Sequence, residues 1–351
     1  MIMMSNYSIY SIFINFKIKI IVLIEKLERM KVIKLNKNGR KIKITSLKIQ
    51  MNIQFHANIT SIISLENKEI ITGTSEGSIQ LFSLNIRTKT FALQNQKYGA
   101  HEGDIWSFCE LKNPNINNII SCSFDKTIKI WIISKNIFHL LKILTIHKHP
   151  IYKLIILPEN RIASTSWDRT IKIFDSFGTY QTLVTIVNNE CVWSIISLKN
   201  KDILVTSHDG VNKEGYISFW CLKKFQIIKS IKGSFARMPT HMIELPDGNI
   251  AISSYTGVKP ISIIDTDKLI VQKHIISNYL KWNSSLCCFD KSSFVYLYNG
   301  KLLQISTKEY KIISFIVGEK KLSGIHGFIN LQTLGLFAVI GLNEVFIVEI
   351  Q

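Results

Sequence analysis

Residues 164–175 read STSWDRTIKIFD, and forty-three residues earlier residues 121–131 read SCSFDKTIKIW. A unit that returns at an interval of about forty to fifty residues restricts a chain to a propeller or a solenoid, because each unit is one small supersecondary block that buries its apolar faces only against its neighbours. The aromatic or apolar residue that closes each unit recurs as Phe82, Trp131, Phe174, Trp220, Ile264, Ile305 and Ile347, with gaps of 49, 43, 46, 44, 41 and 42 residues. Seven units therefore fill the chain from about residue 51 to its last residues.

Each unit has the same order of signals. A polar lead-in precedes an alternating run such as ITSIISL at 59–65 or IYKLIIL at 151–157. A turn follows, as in ENK, PEN or PDG, and then a second run that ends in small residues (IITGTS, RIASTS, IAISSY). After a tight turn comes a third run with period two (SIQLFSL, TIKIWII, TIKIFDS, YISFWCL), and a more variable fourth run closes the unit. Four short alternating runs with turn residues between them predict one four-stranded antiparallel blade.

These units resemble the WD40 (Trp-Asp) repeats of β-propellers. The likeness is specific in the second and third units and recognisable in the first and fourth, and it survives as spacing and strand pattern in the last three. The lead-in histidine stands in GAHEGDIW (His101) and TIHKHPIY (His147), with His56 as a weaker counterpart, while the glycine that precedes it in the family is absent. The resemblance implies an all-β, seven-bladed propeller. It also implies a buried hydrogen-bond network that joins the lead-in His to a Ser or Thr of the second strand, the Asp of the tight turn and the closing Trp. By position that set is His101, Ser121, Asp125 and Trp131 in the second unit. In the third it is His147, Ser164 and Asp168, with Phe174 unable to donate. The first unit offers His56, Thr72, Glu76 and Phe82.

A ring must close, because unpaired strand edges invite aggregation. The last unit ends at EVFIVEIQ with no residues left for a fourth strand, so KIKITSLKI at 41–49 is expected to pair beside it. Residues 32–44 also read as a hairpin about Asn38-Gly39, which adds a strand or competes with that closure. The expected organisation is an extension at 1–39 and the propeller at 40–351. The apolar stretch 9–24 carries Lys17 and Lys19, falls short of the roughly 20 residues a membrane helix needs, and lacks a leader pattern. It reads as a short helix or tail, with a start at Met30 as an alternative.

Composition narrows the function classes. The net charge is +18, and the first fifty residues carry half of it, eleven Lys/Arg against two Asp/Glu. The body is only mildly basic, so its charge alone does not call for nucleic acid. Cys109, Cys122, Cys191, Cys221, Cys287 and Cys288 form no CxxC pair and sit in apolar flanks, so they read as buried, reduced thiols of a cytoplasmic protein, with the nucleus as the alternative. No phosphate-cradling loop, HExxH, carboxylate pair or paired-arginine phosphoinositide motif occurs. No catalytic, cofactor or metal residues are expected. The recurring Ser-His-Asp set is structural, since an active site occurs once and this pattern recurs.

The family's geometry places the residue before the turn Asp at the rim of the partner-binding top face, where this chain has Phe124, Trp167 and Ser75. Trp106, five residues past His101, is a further candidate. The units that depart most from the pattern add His208, in SHDGVNKEGYISFW, and Arg237, in KGSFARMPTHMIEL. The expected function is a non-catalytic scaffold that binds a peptide or protein on that face. The alternatives are an RNA- or ribosome-associated propeller using the basic amino-terminal arm on RNA or another acidic partner, or a ubiquitin-ligase substrate receptor, against which the absence of an F-box pattern counts.

Overall fold

The computed structural model describes residues 30–35, 41–54, 56–85, 90–111, 117–176, 178–209, 215–235, 239–254, 261–275, 285–298, 301–317, 327–330, 336–340 and 344–350. They form strands and turns, with no helix among the described residues. Two strands, β1 (Met30–Leu35) and β2 (Lys41–Gln54), precede the repeats. The first unit comprises β3 (Ile59–Ser64), β4 (Ile70–Thr74), β5 (Ile79–Asn85) and β6 (Thr90–Lys97). The second comprises β7 (Ile105–Leu111), β8 (Asn117–Ser123), β9 (Ile128–Ser134) and β10 (Ile137–Leu144). The third comprises β11 (Ile151–Leu157), β12 (Arg161–Ser166), β13 (Thr170–Asp175) and β14 (Thr182–Val187). The fourth comprises β15 (Val192–Ser197), β16 (Ile203–His208), β17 (Gly215–Cys221) and β18 (Gln226–Phe235). The fifth comprises β19 (Pro239–Glu244), β20 (Ile250–Ser254), β21 (Ile261–Asp265) and β22 (Ile270–Ile275).

Each of these five units is its own four-stranded antiparallel sheet. The remaining strands are β23 (Leu286–Asp290), β24 (Ser293–Tyr298), β25 (Lys301–Ser306), β26 (Ile312–Val317), β27 (Gly327–Asn330), β28 (Leu336–Ile340) and β29 (Glu344–Ile350). They join a nine-stranded sheet in the order β23-β24-β25-β26-β1-β2-β29-β28-β27. That order contains two more four-strand sets, β23 to β26 and β27 to β29 with β2, and β1 lies between them. The first strands of successive units neighbour one another from β3 through β27, so they form the inner layer. This is the architecture of a β-propeller.

β2 closes the ring, but with a later part of the strand than expected: it pairs with β29 from Leu47↔Ile350 to Gln54↔Glu344, so of the expected segment 41–49 only Leu47, Lys48 and Ile49 take part, and Lys41 to Leu47 pair with β1. The amino-terminal hairpin also forms, between β1 and the start of β2. The two do not compete, because the fourteen residues of β2 serve both pairings. β1 pairs on its other side with β26, so Met30–Leu35 belongs to the sheet. Residues 1–29 and the Asn38-Gly39 turn lie outside the described residues.

The residue that marks the sequence period has a backbone counterpart. At Phe82, Trp131, Phe174, Trp220, Ile264, Ile305 and Ile347 the outer strand of each unit slips its register by one residue. A bulge adds local twist, and it returns at the same place in all seven four-strand sets.

The apolar cores lie between the sheets. Ile128 and Ile130 of β9 pack with Ile151, Leu154 and Phe174 of the third unit, while Trp131 and Ile133 pack with Ile71, Ile79 and Leu81 of the first. Both faces of a blade are thus covered, which is why its strands read as nearly continuous apolar runs. The sheets approach most closely where the second strand of one meets the first residue of the next inner strand. Cys122 Sγ reaches Ile151 O at 3.4 Å and Ser207 Oγ reaches Pro239 O at 2.6 Å. In the first unit the equivalent residue is Gly73, and a Cβ there would lie 2.8 Å from Ile105 Cβ and 2.6 Å from Ser61 Oγ. We predict that Gly73→Val lowers stability by about 1–3 kcal/mol through overpacking. A chemical-denaturation midpoint equal to that of the wild type would contradict this sheet-to-sheet contact.

Candidate functional site

The networks at one end of the propeller determine what that end presents. In the second unit His101 Nδ1 lies 2.8 Å from Asp125 Oδ2 and His101 Nε2 lies 2.7 Å from Ser121 Oγ. Trp131 Nε1 donates to the same hydroxyl at 2.9 Å, and the Thr127 hydroxyl donates to Asp125 Oδ1 at 2.7 Å. The backbone amides of Glu102 and Thr127 also donate to Asp125. Every group has a consistent role: Nδ1–H donates to the carboxylate, Nε2 accepts the serine proton, and the serine oxygen accepts from the indole. Burial lowers the His101 pKa despite Asp125, so the ring is neutral. Burial works against ionisation of Asp125, but the combined hydrogen bonds of His101 and Thr127 hold its carboxyl well below the usual range.

The third unit repeats this geometry. His147 lies 2.8 Å from Asp168 and 2.7 Å from Ser164, and Thr170 and the Lys148 amide complete the carboxylate's partners. Phe174 fills the tryptophan site without a donor and is fully buried. These distances match those of a nucleophilic triad, but Ser121 and Ser164 are 0% exposed, so neither hydroxyl can meet a substrate. The sets fix the ends of the strands.

The fourth unit is wired differently, and this corrects the reading of His208. His208 is the last residue of β16, is 0% exposed, and is therefore not a top-face residue. Its Nε2 lies 2.7 Å from Thr206 Oγ1, which also accepts from Trp220 Nε1 at 2.8 Å. His208 thus takes the place of the lead-in histidine from within the second strand. It stacks on Tyr216 with centroids 4.5 Å apart, and burial pushes its pKa down to about 3. In the first unit His56 and Glu76 are exposed, and Thr72 instead donates to the buried Gln80 at 3.0 Å. Arg237 lies outside the described residues.

Phe124 and Trp167 sit in the tight turns immediately before Asp125 and Asp168, and their amides bond to Asp104 O and Pro150 O of the lead-in segments. The structure brings both together with Trp106 and adds two aromatics that the sequence reading missed, Tyr152 and Trp193. Trp106 and Tyr152 stack at 4.2 Å with a 7° interplanar angle, and Tyr152 meets Trp193 at 4.5 Å. Trp167 packs edge-to-face across all three, at 6.2, 5.2 and 6.0 Å, and Phe124 joins Trp106 and Trp167. Phe124 remains 46% exposed and Trp167 37%.

One backbone feature aims three of these rings. Trp106, Tyr152 and Trp193 are each the second residue of an inner strand, and each is the extra residue at a register shift against the second strand. A bulge re-aims the side chain it carries. The first and fifth units have the same shift with Thr60 and Thr240 in that place, so the aromatic ladder belongs to units two to four. The signal available in the sequence was the pair Ile-Trp, Ile-Tyr or Val-Trp opening the inner strand of those units.

The networks should be separable by substitution. We predict that Trp131→Phe, which copies the third unit, lowers stability by about 1 kcal/mol. Asp125→Ala strips His101, Thr127 and two amides of their acceptor and should cost about 3 kcal/mol. Equal denaturation midpoints for the two variants would contradict the network's central role for Asp125.

Residues 93–131 and 138–175 match the family model of the WD domain, G-beta repeat. Each match begins in the outer strand of one sheet and ends in the third strand of the next, so the family's sequence unit is offset from the blade by one strand. No curated protein matches the chain. The two segments that match the WD domain, G-beta repeat contain the His101-Ser121-Asp125 and His147-Ser164-Asp168 networks.

Proposed function

We propose that the chain is an interaction module that holds a protein partner on the end of the propeller bearing Trp106, Phe124, Tyr152, Trp167 and Trp193. The observation that carries this reading is the exposure of Phe124 and Trp167 in turns that have no need of an aromatic. The first unit forms the same turn with Ser75. Large aromatics held rigid by neighbouring rings contribute most of the binding energy at protein interfaces and lose little side-chain entropy on binding. WD-repeat propellers are in general protein-interaction scaffolds, and the fully buried serines leave the His-Ser-Asp sets no catalytic role. Of the eleven basic residues among the first fifty, Lys31, Lys34, Lys41, Lys43 and Lys48 lie in β1 and β2, so part of the basic arm is built into the sheet.

The test is affinity capture from the source cell with wild-type protein and a Phe124→Ala, Trp167→Ala variant, at low and high salt. The reading predicts proteins retained at high salt by the wild type and weakened by the variant by about 2 kcal/mol or more, roughly thirtyfold. The variant should still unfold in one cooperative transition, with a midpoint lowered by the loss of the ring contacts that Trp167 makes to Trp106, Tyr152 and Trp193. Recovery of RNA or ribosomal particles that ignores the variant and disappears with salt would overturn it in favour of phosphate binding through the basic arm.

A further inference from the structure

The aromatic cluster is bordered by carboxylates that form no ion pair among the described residues. Asp104 Oδ2 lies 3.4 Å from Trp106 Nε1. Asp209 and Glu190 lie close enough that their charges bear on the Cys191 thiol, and Asp209 acts on the Tyr152 hydroxyl as well. Two atoms at this place are also buried without a hydrogen-bond partner, Asp209 Oδ1 and Trp193 Nε1. A buried carboxylate oxygen left without a donor is costly, by about 1–3 kcal/mol and more for a charged group.

We propose, resting on the reading of this face as a protein-binding surface, that the cluster receives a lysine or arginine side chain of the partner polypeptide. The chemistry is complementary on both counts. Aromatic faces carry negative quadrupole density that attracts an ammonium or guanidinium. The carboxylates of Asp104, Glu190 and Asp209 supply negative charge at the border of the cluster. The acidity is local and runs against the chain as a whole, whose net charge of +18 repels cations at long range. A basic ligand is therefore selected by this site or not at all. The exposed Lys126, Lys148 and Arg169 stand on the neighbouring turns, and Arg169 is near enough for its charge to act on Cys191. They do not neutralise the three carboxylates by contact.

The experiment is selection of a random peptide display library on the full chain, on Trp167→Ala, and on an Asp209→Asn, Glu190→Gln variant, each checked for a cooperative denaturation transition well above the selection temperature. The proposal predicts peptides that depend on Trp167, are enriched in Lys or Arg over the input library, and bind the carboxylate variant about tenfold more weakly or worse. Peptides that depend on Trp167 but show no basic enrichment, or that bind the carboxylate variant unchanged, overturn the cation site and leave the protein-binding face standing. Failure to recover any Trp167-dependent peptide overturns both. A single-stranded RNA probe whose binding strengthens when the carboxylates are removed also overturns the proposal, since phosphate would then be the group that the site repels.

Discussion

The structure depends on how closely one sheet approaches the next. A four-stranded blade has no interior, and its apolar residues find cover only on the two neighbouring sheets. That cover requires the second strand of one unit to come within van der Waals contact of the first residue of the following inner strand. Small residues stand at this crossing: Gly73, Cys122, Thr165, Ser207 and Ser253. Where a hydroxyl or thiol is present it is used, as Cys122 and Ser207 reach the carbonyls of Ile151 and Pro239. The first unit dispenses with a side chain altogether and lets Thr60 Oγ1 reach Ile105 O at 2.7 Å. Thr165 is the exception, with a buried hydroxyl that finds no partner.

The polar networks add a second level of order at one end of the sheets. Units two and three build the His-Ser-Asp set around an ionised Asp and a neutral His, and unit two alone of the pair adds the indole donor. The fourth unit keeps the Trp-to-Thr link but recruits its histidine from the adjacent strand. The first replaces the whole set with a Thr-Gln bond. The units with the His-Ser-Asp set are also the ones whose turns carry exposed aromatics, and the physical link is direct. Asp125 and Asp168 each collect several donors at the residue next to Phe124 and Trp167, so those rings project from a pinned turn. A ring that is already fixed binds a partner with less loss of entropy.

Much of this could be read from residues alone, because the fold repeats itself. The period residues, the four-run grammar and the closing strand before the first unit all report side-chain patterns that burial enforces on each blade. What the sequence hid was backbone register. Tyr152 and Trp193 look like ordinary inner-strand residues until a bulge turns them towards Trp167. His208 looks like part of a long loop in SHDG because the turn residues follow it at once, yet it ends a buried strand. Apolar flanks suggested that all six cysteines are buried, whereas only Cys109 and Cys122 are. The other four are half-buried.

Amide hydrogen exchange resolved to single residues tests the central claim that buried networks pin the turns of the aromatic face. The amides of Glu102, Thr127, Lys148 and Thr170 donate to Asp125 or Asp168 in surface turns. The account predicts that they exchange slowly, and that Asp125→Ala accelerates Glu102 and Thr127 while leaving Lys148 and Thr170 protected. Exchange at all four as fast as at the exposed Glu76, in the unit without such a network, would contradict it.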